Sequence, residues 1–361
     1  METQTRTKPP ASAARRDEAE RGDLYPENPV LVRVWRGERV ESQHRGAWVL
    51  CDPDGTVIDG MGSWKVPIFA RSSVKCLQAL PLLETGAADH FGFSDAEIAL
   101  ALSSHNAEAL HTEAVKAVLA RIGLSPGALQ CGPQAPGDPD VRNALRERGE
   151  KPTGLHNNCS GKHTGFLALT CHLGADPEHY LDPESPAQRL VRRAVLEMTG
   201  LAEEQIYTAV DGCSAPTFQI PLSALAAAFA RVSNPAGLAA PRRAACERML
   251  SAVAANPIML AGHHQRICTD IARVTRGRLF PKVGAEAVYA IGVRGQDRAL
   301  AIKIDDGNYR GMHPVVVALL RRFGFATGEE LAALESWEER RISDLAGHPV
   351  GRTEVVFARG S

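Results

Sequence analysis

Hydrophobic and polar residues alternate from Pro29 onward. "VLVRVWRG" (30–37) and "HRGAWVLCDPDGTVIDGMG" (44–62) read as half-buried strands, and Asp54-Gly55 is a hairpin turn signal. From Ser72 to about Ile271 the period lengthens to that of a helix, as in "DAEIALALSS", "EALHTEAVKAVLARIG", "PAQRLVRRAVLEMTG" and the Ala-rich "LSALAAAFARV". Pro and Gly clusters such as "CGPQAPGDPD" divide these helices. Strands return in "AVYAIGVRG" and "RALAIKIDDG" around a turn at Gln296-Asp297. Helical "VVVALLRRFGF" and "EELAALESWEERR" follow, then a last strand in "VGRTEVVFA". This order predicts an α+β fold in which residues about 29–62 and 286–357 form one antiparallel sheet, split in sequence by a helical insert. A sheet subdomain (about 29–71 and 276–361) then faces a helical subdomain (about 72–275), with a site in the cleft between them.

Charge and composition narrow the possibilities. The 361 residues carry a formal net charge of −1 with both signs interspersed, which argues against a nucleic-acid groove or a membrane-surface patch. No apolar run approaches the roughly 20 residues that span a bilayer. Residues 1–28 read as a disordered tail without the apolar stretch of a secretory signal. Eight cysteines are scattered without the spacing of a disulfide framework, so free thiols in a cytoplasmic protein are expected. Cys51, Cys76, Cys131, Cys171 and Cys246 fit small core residues.

Candidate chemistry begins at "RSSVKCLQALP" (71–81), where Ser72 and Lys75 stand three apart and would share a helix face. Alone, Ser72 could be a helix cap and Lys75 a solvated side chain. Two further motifs change the weighting: Ser104-His105-Asn106 just after a helix, and Lys282-Val283-Gly284 expected just before a strand. Ser-x-x-Lys, Ser-x-Asn and Lys-x-Gly in that order form the signature of serine β-lactamases and penicillin-binding proteins. In that chemistry Ser72 attacks, and Lys75 takes its proton once burial or a neighbouring cation lowers the amine's pKa. Ser104 and Lys282 form a second hydroxyl–amine pair, and Gly284 lets the strand come close to the acyl group.

A third cluster lies outside that signature. "LHNNCSGKHTGF" (155–166) supplies His156, Cys159, Lys162 and His163, and "DGCSAP" adds Asp211 and Cys213. With no CxxC or HxxxH spacing, three readings stay open: a polar loop with two buried thiols, a mixed Cys/His metal site, or recognition of a substrate carboxylate by Lys162. Residue chemistry alone favours Cys159, Cys213 and His163 as zinc ligands. On a helix opening at Ser160, however, Lys162 and His163 point in different directions. His263, His264 and Cys268 read as a helix end and a core thiol.

Together "RSSVKCLQALP", "SSHNAEALH", "HNNCSGKHTGFL", "DGCSAPTF", "KVGAEAVYAIG" and "IKIDDGNYR" resemble the rhizobial-type L-asparaginases, the asparaginase II family, across roughly residues 29–357. The resemblance implies a fold related to serine β-lactamases and glutaminases, and hydrolysis of L-asparagine to L-aspartate and ammonia. It implies Ser72–Lys75 and Ser104–Lys282 as catalytic pairs, and substrate contacts from His105, Asn106, Asp211 and Gly284. It further implies one zinc ion held by Cys159, Lys162 and Cys213, and a homodimer. A glutaminase or a β-lactam-binding serine hydrolase of the same fold is the alternative. Two positions depart from the family pattern: Gln134 where His is expected, and Ala287 where Gly is commoner.

Overall fold

A computed structural model describes residues 28–338 and 341–357. Residues 1–27 of the expected tail lie outside the described residues, while Asn28 is buried and ties Asp305 to the backbone of Ser63.

The architecture is α+β. Eight strands form one sheet: β1 (Val30–Arg36), β2 (Arg39–Cys51), β3 (Val57–Met61), β7 (Leu279–Gly284), β8 (Val288–Val293), β9 (Ala299–Ile304), β10 (Arg341–Ser343) and β11 (Pro349–Val355). Their order is β10-β11-β1-β2-β9-β8-β7, with β3 beside β2. Both terminal strand groups thus share one antiparallel sheet, joined where β2 pairs with β9, Trp48 opposite Ile302. β8 and β9 are buried at every position, so the sheet centre is covered on both faces. The helices Leu222–Ser233 and Tyr309–Arg322 pack there. The small side chains of "LSALAAAFARVS" let the first lie close, with Leu225 and Phe229 fully buried, each worth roughly 1.5–3 kcal/mol of transfer free energy.

Two departures from the sequence pattern have physical causes. The helical stretch contributes β5 (Tyr207–Val210) and β6 (Pro216–Pro221) to a second, three-stranded sheet completed by β4 (Pro67–Phe69) just ahead of it. β4 and β5 are very short and β6 has proline at both ends, so alternation does not register. Lys282-Val283-Gly284 does precede a strand, β8, but it also closes another, β7, that the sequence pattern does not show. Pro281 disguises that strand, yet β7 is the sheet edge, where a missing N–H costs no ladder bond to a further strand.

Behind the sheet, helix Lys75–Glu84 packs against Ser160–His172, Pro186–Thr199 and Ala240–Ala255. No helix among the described residues is long and apolar enough to cross a membrane.

Candidate active site

Where β7 ends against the turn Arg71–Val74, a pocket of about 180 Å³ opens, lined by Ser72, Ser104, Asn158, Arg266, Gly284 and Tyr309 among others. That is well under the roughly 300–1,000 Å³ of drug-sized sites and suits a small polar molecule. The close approach depends on Gly284, because a Cβ there would meet Ala70 O at 2.8 Å and Ser73 N at 3.2 Å.

Ser104 holds the centre of the hydrogen bonding. Lys75 Nζ donates to its Oγ at 3.0 Å and to Ser103 O at 2.6 Å. From the other side Lys282 Nζ donates to the same Oγ at 2.9 Å and to Val283 O at 3.1 Å. Both amines are buried, and burial lowers both pKa values. For Lys282, burial and then the charge of Lys75 bring it down to about 7. Two ammonium groups on one hydroxyl repel each other, so one neutral amine, a base, is the favoured state near neutrality. The Ser104–Lys282 pair therefore forms directly. Ser72 lines the pocket, but among the described residues no hydrogen bond joins it to Lys75, whose amine is turned to Ser104. Nor does Ser72 cap the helix: it sits one turn ahead of Lys75–Glu84, in a 3₁₀ turn.

The second cluster lies directly behind. Lys162 Nζ reaches Cys213 Sγ at 3.2 Å, and the Cys159 thiol donates to Asn158 Oδ1 at 2.9 Å. The neighbouring Cys213 thiol, with Lys75 and Lys162 close by, holds the Cys159 thiol well below its ordinary pKa, while the same neighbour and burial push Cys213 up. Burial alone would lower the Lys162 amine, but the two sulfurs outweigh it and raise it. All eight cysteines are free. His163 points away, its Nδ1 bonded to Tyr180 Oη at 2.6 Å. Among the described residues no three His, Cys, Asp or Glu side chains gather in a metal-holding group, so the Cys159–Cys213–His163 set is not formed. His156 bonds Thr153 and His263 bonds Glu108, both away from the thiols.

The other candidates surround the pocket unevenly. Gly284 lines it. His105 does not: its ring bonds Ser160 Oγ at 2.9 Å and stacks on His111, which makes it a brace between loop and helix. Asn106 is likewise a brace, spanning His264 O and Arg266. Asp211 accepts from Arg71 Nε at 2.7 Å, one residue from Ser72. Lys162 faces sulfur rather than the pocket, where no substrate carboxylate would meet it.

Arg266 and His313 on the pocket wall carry no motif that sequence could reveal, Asn158 and Tyr309 lie in quoted motifs without standing out there, and Cys268, a core thiol by sequence, lies on the wall too. A further signal is conformational. Non-glycine residues with left-handed φ include Arg71, Ala107, Ser214, Gln265, Glu286 and Ala287, each within three residues of a group just described. Such strain, of order 1–3 kcal/mol per residue, persists where surrounding contacts over-determine the backbone, as the Asp211 bond does for Arg71. Ala287, at φ 51°, occupies a position glycine adopts without strain, which accounts for the departure noted above. Gln134, the other departure, holds the backbone N–H of Asn158 at 3.1 Å, behind the wall.

The search of curated proteins returned no match. The sequence profile of L-asparaginase II matches residues 32–355, nearly the whole chain and every group of the site described above. The chain belongs to the L-asparaginase II family.

Proposed function

We propose that the protein hydrolyses the side-chain amide of L-asparagine to L-aspartate and ammonia through an acyl-enzyme on Ser72. The observation that carries this reading is a small pocket lined by Ser72 and Ser104, with two lysines of lowered pKa bonded to Ser104, within a chain whose family implies an asparagine substrate. Ser72 Oγ attacks the amide carbon, and its proton passes through Ser104 to a neutral lysine amine. That proton then goes to the departing nitrogen, which leaves as ammonia. Water attacks the Ser72 ester, gives its proton to the same amine, and aspartate leaves as the serine regains its hydroxyl.

A second reading exchanges the serines. Ser104 is the hydroxyl bonded to both lysines, which favours it as the nucleophile. Mass spectrometry of enzyme quenched during turnover decides between them: the acyl group is expected on the peptide carrying Ser72, and its appearance on Ser104 would reverse the roles.

The buried thiols and amine fit a zinc ion. Cys159, Lys162 and Cys213 lie together and sulfur is a preferred zinc donor; Lys162 would join the two sulfurs as the neutral amine, its proton displaced by the charge of the ion. Bound there, zinc supplies positive charge behind Asn158 and keeps both sulfurs as thiolates. Metal analysis is expected to find one ion per chain, retained in His163→Ala and lost in Cys159→Ser, Lys162→Ala and Cys213→Ser.

Ammonia release measured across asparagine, glutamine and a chromogenic cephalosporin tests the substrate. Asparagine is expected to lead. Glutamine differs by one methylene, a discrimination of about 1–3 kcal/mol, and equal or faster turnover of it would make the protein a glutaminase.

A further inference from the structure

Resting on the asparaginase reading, we infer that Arg266 is the anchor for the substrate's α-carboxylate. It stands at the pocket wall opposite no acid. Its Nη1 donates to Asn106 Oδ1 at 3.1 Å and its Nη2 to Ser104 O. A guanidinium has five N–H donors, so these two bonds leave donors for a ligand. Among the described residues no carboxylate pairs with it. Glu108, whose charge it feels, is spent on the backbone and ring nitrogens of His263. A half-buried cation with no counter-ion bonded to it is a site that a carboxylate can complete.

Burial does lower the Arg266 pKa, although a guanidinium stays charged at any physiological pH. The other cations nearby are already engaged: Lys75 and Lys282 with Ser104, Lys162 with sulfur, and Arg71 with Asp211. Of the pocket's charged groups, Arg266 is therefore the one positioned to take a carboxylate. The same wall holds the start of helix Ile267–Val274, whose first turn has no side-chain cap, and Ile267 and Cys268 line the pocket beside the guanidinium. The carbonyl it braces belongs to Ser104. A substrate fixed by its α-carboxylate on Arg266 is thereby held at a set distance from the two hydroxyls, which is the positioning an amide hydrolase needs. A fork of two N–H groups also matches a planar carboxylate in a way that a lysine does not.

A cycle that changes the protein at residue 266 and the substrate at its α-carbon tests this. Ammonia release is measured for the wild-type chain, Arg266→Gln and Arg266→Lys, with L-asparagine and with 3-aminopropanamide, the same β-amide without the α-carboxylate. Removing the carboxylate should cost the wild-type chain on the order of 10²-fold in kcat/KM, chiefly through KM. Arg266→Gln, which also loosens the Ser104 loop it braces, should lose on the order of 10²-fold more on asparagine than on 3-aminopropanamide, while the excess loss in Arg266→Lys falls between. Equal losses on both substrates would overturn the inference, leaving Arg266 as a brace for the Ser104 loop alone. Should Arg266→Gln fail to fold, the wild-type comparison still decides: indifference to the missing α-carboxylate overturns the inference. A wild-type chain that releases ammonia from glutamine but not asparagine defeats the asparaginase reading instead. The cycle run with glutamine and 4-aminobutanamide then tests Arg266 separately.

Discussion

Ser72 rides on a strained turn at the pocket edge with no hydrogen bond to Lys75, whereas Ser104 lies in a buried loop between two amines at 2.9 and 3.0 Å. The contrast separates two jobs that a hydroxyl can do in acyl transfer. A nucleophile has to move toward carbon and then carry an acyl group, so it benefits from open space on the substrate side. A relay has to keep fixed distances to its proton partners, so it benefits from burial. The two Ser–Lys pairs expected from sequence are therefore unequal: one is a tight bridge, and the other shares its lysine with that bridge.

The sharpest way to break the comparison is to remove each hydroxyl. Ser72→Ala should lower kcat by more than the roughly 10²–10⁴-fold of a single general-base contribution, with Ser104→Ala inside that range. Single-turnover ammonia release measures both, and the opposite ranking would exchange the roles. Gly284→Ala comes next. Its new Cβ would press on the backbone of the turn that carries Ser72, so kcat should drop roughly 10²-fold with the fold intact by circular dichroism. An unchanged kcat would show that the turn tolerates displacement.

The pH profile sharpens the other half. Lys282 has its pKa lowered to about 7, so its neutral form is present above that value and lost below it. As the base is the neutral amine, kcat/KM should fall about tenfold per pH unit below 7 and level off above it. Because Lys75 and Lys282 share Ser104, this limb belongs to the pair. In Lys282→Ala it should move away from pH 7, and an unmoved limb would assign it elsewhere. The smallest effect belongs to Ala287→Gly. Relief of left-handed strain, offset by the extra freedom of glycine in the unfolded chain, should leave stability equal or raised by up to roughly 1 kcal/mol in urea unfolding. A loss beyond 1 kcal/mol would mean that its buried methyl matters more than its φ.

Much of this site was legible in sequence because its chemistry is carried by side chains in short runs. Ser72, Lys75, Ser104 and Lys282 stand out through the order of three short motifs rather than through any one of them, and helical geometry separates Lys162 from His163. The split sheet followed from alternation at both ends of the chain. What stayed hidden is of another kind. Arg266 stands out by having no carboxylate bonded to it among the described residues, a property of the fold that spacing does not encode. His105 and Asn106 lie inside a catalytic motif yet face its rear, because the Ser104 backbone turns only one of the three side chains to the pocket. Pro281 hid β7, since tolerance of proline depends on strand position. Left-handed Arg71 and Gln265 carry no glycine to mark the bend.

The sheet also sets a timetable. β2 is 13 residues long: its first half pairs with β1, and its second half lies between β3 and β9. β9 begins at Ala299, so Trp48, Val49 and Leu50, paired early with β3 on one side, wait for their second partner through most of synthesis, roughly 12–50 s at 5–20 residues per second. Lys282 arrives just before that partner. A nascent chain thus holds both serines and Lys75 long before Lys282 can join them, and chains stopped short of β9 are expected to emerge inert, with one open edge on an apolar strand that invites chaperone binding or aggregation.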